Sequence, residues 1–235
     1  MSHIAVSHSP ENESYQKQGY LSPIRVMSAE EAARIADKVA GIEAEHGVEG
    51  ADILRSNTHF LFPELYDLIL SPAILDHVEK VLGPDILCWS SSFFSKSAHD
   101  PSFVSWHQDL TYWGLEPEDI VTAWVAITPS TRESGCMKVL PGTHAPGQLS
   151  HSDTFAANNL LSRGQVLDVD VDEAEAVDLE LQPGEMSLHH VLIVHGSEPN
   201  QSDLPRHGFV IRYMPTYCKQ IGGRTTALLA RGQDS

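Results

Sequence analysis

Apolar residues change their rhythm once along this chain, near residue 83. Between residues 28 and 83 they recur every three to four positions, the helical period. Ser28 and Glu31 have capping-box spacing, and EEAARIADKVAGIEAEHG follows, with Gly47 as its stop. Ala33, Ile35, Ala36, Val39 and Ala40 form the predicted apolar stripe of that helix. Pro63 opens a second short helix, PELYDLIL, and Ser71-Pro72 opens a third, SPAILDHVEKVLG, which ends at Gly83. Residues 1 to about 20 have no such stripe and read as loose, with a short strand predicted over 19–26.

After residue 83, blocks rich in Ile, Val, Phe and Trp alternate with Gly/Pro turns. Strands are predicted over 86–96, 103–107, 120–128, 137–140, 177–181, 186–195, 208–214 and 226–230. Helices followed by strands predict a mainly antiparallel β structure with N-terminal helices on its outside. About eight strands suit a double-stranded β-helix, the cupin-like jelly roll, whose two sheets enclose a ligand-sized space. The expected layout is one domain over 1–235, with helical support over 28–83 and a jelly-roll core over 86–230. The stretch 141–165 lacks strand pattern and reads as a lid or a short helical insert. The acidic run 168–180 reads as a solvated strand edge.

Composition narrows the partners. A net charge of -17 argues against nucleic acid and against anionic membrane surfaces. No apolar run approaches the roughly 18 residues of a membrane span, and MSHIAVSHSPENESY lacks the pattern of a secretory signal. Three widely spaced cysteines, with no zinc-type spacing, read as a reduced cytoplasmic protein. The oligomeric state, monomer or homodimer, is left open by the composition.

The candidate chemistry lies in SWHQDLTYW, residues 105–113. In an extended chain His107 and Asp109 point to the same side and can reach one ion. A second His-x-Asp, His151 to Asp153, lies in the polar connection and reads as loop. A rigid strand favours the first pair. The second histidine must come from GEMSLHHVLIVHGSEPNQSDLPRHGFVIRY, where His189 and His195 share one parity and His190 has the other. Periodicity does not choose between His189 and His195. Two imidazoles and one carboxylate leave three adjacent positions open, which suits Fe(II), although zinc catalysis uses such sets too.

WHQD-x-x-YW, then SGCMKVLPGTH, then LQPGEMSLHHVLIVHGSEPNQSDLPR resemble the phytanoyl-CoA dioxygenase family, non-haem Fe(II)- and 2-oxoglutarate-dependent oxygenases related to ectoine hydroxylase. The likeness runs over roughly residues 86–214, and three motifs in order are far more specific than one. In that family the second iron histidine precedes Gly-Ser and, eleven residues on, an arginine for the distal carboxylate of 2-oxoglutarate. The resemblance therefore implies His107, Asp109 and His195 as the metal set and Arg206 as the co-substrate clamp, with Arg212 as its runner-up. It implies Fe(II), 2-oxoglutarate and dioxygen as requirements, and hydroxylation of a small molecule with release of succinate and carbon dioxide. Related aliphatic halogenases carry a small residue where Asp109 stands, so the likeness favours hydroxylation over halogenation.

Further expectations follow from the same motifs. Lys96 and Ser197 are candidates for the co-substrate, with surface pairing and turn formation as their competing roles. Trp113, Tyr112 and His189 are candidates for lining the substrate pocket, with core packing as the alternative. Asn200 contacts the co-substrate or shapes a turn. Gln108 is expected to point away from the metal, and Gly142, Gly184 and Gly196 read as turn glycines. Two other functions compete: a non-redox metalloprotein on the same fold, such as a zinc hydrolase or cupin-type isomerase, and a binding protein without turnover.

Overall fold

The computed structural model describes residues 9–47, 53–221, 223 and 226–234; the side chain of Tyr112 lies outside the described residues. The part of the polar start from residue 9 onward is not loose, and residues 1–8 lie outside the described residues. Helix α1 spans Pro10–Gln18. Ser9 caps it by accepting from the Asn12 amide at 3.2 Å, Glu11 and Glu13 occupy the first turn, and Gly19 ends it in the left-handed region. Periodicity missed this helix because only Asn12 and Tyr15 are buried along it. Its stability comes from capping and charge placement, which leave no apolar stripe.

Helix α2, Ala29–His46, has the complete capping box: Ser28 accepts from the Glu31 amide and Glu31 accepts from the Ser28 amide. Its buried stripe is Ala32, Ile35 and Val39; Ala33 and Ala40 face solvent, so the expected stripe was misplaced at its small residues. Alanine fits either environment, and the larger Ile35 and Val39 set the face. Helices α3, Pro63–Ile69, and α4, Pro72–Leu82, begin at the predicted prolines.

Two antiparallel sheets follow. The larger has the order β1-β10-β5-β12-β2-β14, built from β1 (Tyr20–Arg25), β2 (Ile86–Lys96), β5 (Val121–Ala126), β10 (Glu185–His190), β12 (Arg206–Pro215) and β14 (Leu228–Arg231). The smaller has the order β3-β11-β6-β9, from β3 (Val104–His107), β6 (Met137–Leu140), β9 (Val177–Leu179) and β11 (Val194–Ser197). Short pairs join β4 (Leu115–Glu116) to β13 (Lys219–Gln220) and β7 (His151–Asp153) to β8 (Gln165–Leu167). This is the expected cupin-like jelly roll, with helices against one face of the larger sheet. Val121, Ala123, Val125, Met186, Leu188, Phe209, Ile211 and Tyr213 face that way and pack with Ile35, Val39, Leu65, Ile69, Ile74 and Val78.

The other face of the larger sheet looks toward the smaller one. Register lays it out in rows across the strands. Arg206 pairs with Lys96, Gly208 lies between Phe94 and Ala126, Val210 lies between Ser92 and Trp124, and Arg212 lies between Ser90 and Thr122, which in turn pairs with His189. Directly paired residues project to the same side of a sheet. Every residue of β5 is buried, as a central strand covered on both faces must be.

Three expectations need correction. The predicted strand over 186–195 is two strands in different sheets, broken at 191–193, where the Ile193 amide turns back to the His190 carbonyl at 3.0 Å. A continuous apolar run hid this break, because residues buried throughout a sheet crossing show no alternation. The 141–165 stretch holds no helix among the described residues, and His151 to Asp153 is the strand β7 and not loop. Gly196 is not a turn glycine: it lies within β11, where a Cβ would press on the Val104 carbonyl and the Trp106 ring. The acidic run does end in β9, an edge strand of the smaller sheet.

Gly208 has a similar constraint. A Cβ there would overlap the six-membered ring of Trp124. Gly208→Ala is therefore expected to destabilise the fold by about 1–3 kcal/mol, the range for overpacking a filled site. Urea unfolding followed by circular dichroism measures it, and an unchanged midpoint would show that Trp124 yields freely.

Candidate metal centre

The smaller sheet brings the two histidines together. His107 ends β3, and in the ladder it pairs directly with His195 of β11. Their ring centroids are 4.1 Å apart. The chain leaves the strand after His107, so Asp109 begins a 3-10 turn, anchored by its amide to the Val191 carbonyl at 3.0 Å. Asp109 Oδ1 lies 3.4 Å from His107 Nε2 and 3.9 Å from His195 Nε2. One ligand atom from each of the three residues falls within 4.8 Å of the others.

The imidazoles are oriented for ligation. His107 Nδ1 faces the carbonyls of Ser105 at 2.9 Å and His195 at 3.1 Å, and His195 Nδ1 faces that of Ile193 at 3.0 Å. A carbonyl only accepts, so each Nδ1 carries the proton and each Nε2 presents its lone pair to the shared point. Burial, reinforced by the neighbouring His107, pushes the His195 imidazole down to about 4. Burial opposes ionisation of Asp109, but its contact with His107 and the nearby His195 and Arg212 hold its carboxyl below the usual carboxylate range. Two imidazoles and one carboxylate at this spacing fit a divalent transition metal bound on one face.

Gln108 points away from this centre, as its place between the ligands suggested. It is fully buried and acts as a strut: its amide nitrogen donates to the carbonyls of Leu192 at 2.7 Å and Gly147 at 3.2 Å, and its oxygen accepts from the Leu149 amide at 2.7 Å. His151 accepts from the Gln108 backbone amide at 2.9 Å. The second His-x-Asp thus braces the turn that carries Asp109. Residue spacing could not reveal this contact, because it crosses more than forty positions of irregular chain.

A cavity of about 360 Å³ opens beside the three residues. Arg206 lines one end, with Lys96, its direct cross-strand partner, beside it; both are fully buried. Lys96 Nζ donates to Ser197 Oγ at 2.7 Å and to the Glu198 carbonyl. Arg206 Nη1 donates to the Gly135 carbonyl at 2.5 Å, its guanidinium lies 5.3 Å from the Trp124 ring centroid, and its Nε has no partner. Burial and the charge of Arg206 push Lys96 down to about 7, and burial pushes Arg206 down to about 10. Two adjacent cations and an unpaired guanidinium N–H make a receptor for a carboxylate. The surface reading of Lys96 does not hold.

Arg212 lies at the other end. His189 sits on β10, yet its ring centroid is 5.2 Å from that of His195 across the sandwich. The shared parity of the two residues was therefore a coincidence of the strand break. Trp113 lines the cavity, 5.2 Å from Trp89 and 5.3 Å from the Arg212 guanidinium. Leu160, Leu161, Ser162 and Gln165 close it from the 141–165 stretch. Asn200 shapes its loop, donating to the carbonyls of Ser97 and Leu204 at 2.8 Å each. Tyr112, by its side chain, lies outside the described residues.

Residues 15–208 match the family model for phytanoyl-CoA dioxygenase. The chain belongs to that family. It is 28% identical over 219 residues to the probable alpha-ketoglutarate-dependent hypophosphite dioxygenase of Stutzerimonas stutzeri, covering 85% of this chain and 76% of that protein. It is 32% identical over 171 residues to the peroxisomal phytanoyl-CoA dioxygenase of Homo sapiens, covering 70% of this chain but only 50% of the human protein. Among solved structures, the non-heme monooxygenase ThoJ in its apo form superposes with a TM-score of 0.85 at 33% identity, covering 95% of this chain and 84% of that one. Membership and site chemistry agree on the class: an oxygenase that uses Fe(II) and 2-oxoglutarate. No helix among the described residues is long and apolar enough to cross a membrane.

The buried imidazoles set a pH dependence. Burial pushes His189 down to about 3, and His190, His195 and His207 down to about 4. In the unfolded chain each returns to about 6.5. Between those values the unfolded chain binds more protons than the folded one, so stability falls as pH falls through this window. The thermal midpoint of the chelator-treated protein is expected to drop steadily from about pH 6.5 to about pH 4.5 and to be level just above that range. A flat profile through the acidic window would contradict neutral, buried imidazoles.

Proposed function

We propose that this chain hydroxylates an unactivated C–H bond of a small-molecule substrate, releasing succinate and carbon dioxide, with His107, Asp109 and His195 as the iron ligands. The observation that carries this reading is the convergence of two oriented Nε2 atoms and the Asp109 carboxylate next to the buried Lys96–Arg206 pair. Bound Fe(II), with 2-oxoglutarate and dioxygen, supplies the oxidising chemistry. The residues of the chain position and protect. Arg206, with Lys96 beside it, takes the distal carboxylate of the co-substrate, and Ser197, which lines the cavity, accepts from the Lys96 ammonium. Trp124 packs along the Arg206 guanidinium and excludes water from the clamp. Trp113 and His189 line the substrate side, and the 141–165 stretch serves as the lid.

Asp109 argues for hydroxylation over halogenation, since a ligating carboxylate occupies the position that a halide would need. A zinc hydrolase or isomerase has no use for two buried cations at the end of the same cavity. The proposal includes a single domain over 1–235 and a cytoplasmic location, which its free, buried Cys88, Cys136 and Cys218 suit.

Anaerobic addition of Fe(II) and 2-oxoglutarate is expected to produce the visible charge-transfer band of a chelated keto acid. Admitting air should then yield succinate. Asp109→Ala is expected to abolish substrate hydroxylation; normal turnover in that variant would disprove the ligand assignment. Arg206→Met should raise the 2-oxoglutarate concentration for half-saturation by about tenfold or more, as loss of a charge-assisted pair requires. Titration of the visible band measures it, and an unchanged value would remove Arg206 from the clamp.

A further inference from the structure

Arg212 is a further cation lining the cavity, half-buried, and the proposed co-substrate clamp does not use it. It lies six residues beyond Arg206 on β12, so the two Cα atoms are about 20 Å apart along the strand. A five-carbon diacid held at Arg206 and at a metal site between them does not reach both ends. Among the described residues, Asp109 is the only carboxylate lining the cavity, and it belongs to the metal set. Arg212 forms no ion pair within 4 Å among the described residues; its side-chain partners are the hydroxyls of Ser92 at 3.1 Å and Ser90 at 3.4 Å. The Trp113 ring flanks its guanidinium at 5.3 Å.

A second observation stands beside this cation. Thr122, its direct cross-strand partner, lines the cavity and is buried, and its Oγ1 has no hydrogen-bond partner. His189, next in the same row, lines the cavity with an unpartnered Nδ1. Buried polar atoms are nearly always paired, and two unpartnered atoms in one row with an arginine bonded only to hydroxyls describe a missing ligand. The molecule as a whole is strongly acidic, so a cationic wall here is a local arrangement and not a reflection of composition.

We propose that Arg212, Thr122 and Trp113 form an anion-recognition subsite for the substrate, so that the substrate is a compact molecule bearing a carboxylate, phosphonate or similar oxyanion at the end away from the co-substrate clamp. Arg212 donates to the anion, the Thr122 hydroxyl adds a donor, and the Trp113 face covers the adjoining carbon skeleton. His189 Nδ1 completes the wall on the metal side. The anion is thereby held beside the iron site, and the carbon to be oxidised is presented to it. This subsite rests on the function proposed above for its catalytic meaning, but not for its affinity.

The test uses the full chain and defined probes: butyrate, phenylacetate and methylphosphonate, with butyramide and phenylacetamide as neutral counterparts. Binding is read by perturbation of the anaerobic Fe(II)–2-oxoglutarate band and, independently, by calorimetry on the metal-free protein. At least one anion should bind saturably, and about tenfold or more tighter than its amide, as a charge-assisted pair demands. Arg212→Gln should remove that preference, Arg212→Lys should restore part of it, and 2-oxoglutarate half-saturation should stay within about twofold in both. The proposal is overturned if no anion binds, if amides bind equally well, or if Arg212→Gln leaves the preference intact. It is also overturned if Arg212→Gln weakens 2-oxoglutarate instead, which would assign Arg212 to the co-substrate. Failure of the oxygenase reading looks different: the unaltered protein gives no visible band, while calorimetry still reports whether anion binding depends on Arg212.

Discussion

The pairing of β3 with β11 is the contact on which the site depends. It sets His107 opposite His195, and the His195 backbone carbonyl in turn accepts from and orients the His107 ring. A shift of one residue in this register would turn His195 to the opposite face and separate the rings. Several features hold the register. Gly196 allows β11 to lie against the Val104 carbonyl and the Trp106 ring, β6 pairs along the other edge of β11, and the Gln108 strut ties the turn after β3 to Leu192. The metal set is therefore a property of strand pairing as much as of three side chains.

Much of this was legible in the sequence, and what was missed has physical reasons. Capping residues and prolines located α2, α3 and α4, because termini are encoded locally. Helix α1 escaped because capping stabilises it with almost no apolar stripe. The break between β10 and β11 escaped because both sides are buried, so alternation had nothing to report. That break matters for the site: it moves His189 and His195 into facing sheets, and their side chains meet across the cavity. Parity had named the right pair for the wrong geometry. The family likeness separated His195 from His189, and no periodicity argument could have done so.

The contacts of Gln108, His151 and Thr122 lay beyond any sequence argument. Each is defined by what it touches across the fold, and polar residues of these types are more often exposed. His151 looked like a competing metal ligand and proves to support the turn that carries Asp109. Thr122 looked like an ordinary strand residue and is a buried hydroxyl without a partner. Burial combined with unmet hydrogen bonding is the signal in such cases, and it exists only in three dimensions.

The interior charge pattern joins these points. Lys96, Arg206 and Arg212 are cations on the inner face of one sheet, and among the described residues the single acid lining the cavity belongs to the metal set. Burying cations without counter-ions is unfavourable for the folded protein, and the depressed values of Lys96 and Arg206 express that cost. A fold selected for stability alone would fill these positions with apolar residues. The two proposed ligands would return what burial removes: a diacid at the Lys96–Arg206 end and, at the Arg212 end, the anionic group of a substrate. On that proposal, binding at each end relieves the cost of burying the cations as it adds contacts. The same acidic exterior that discourages polyanionic macromolecules leaves this small cationic interior as the place where a compact anion is favoured.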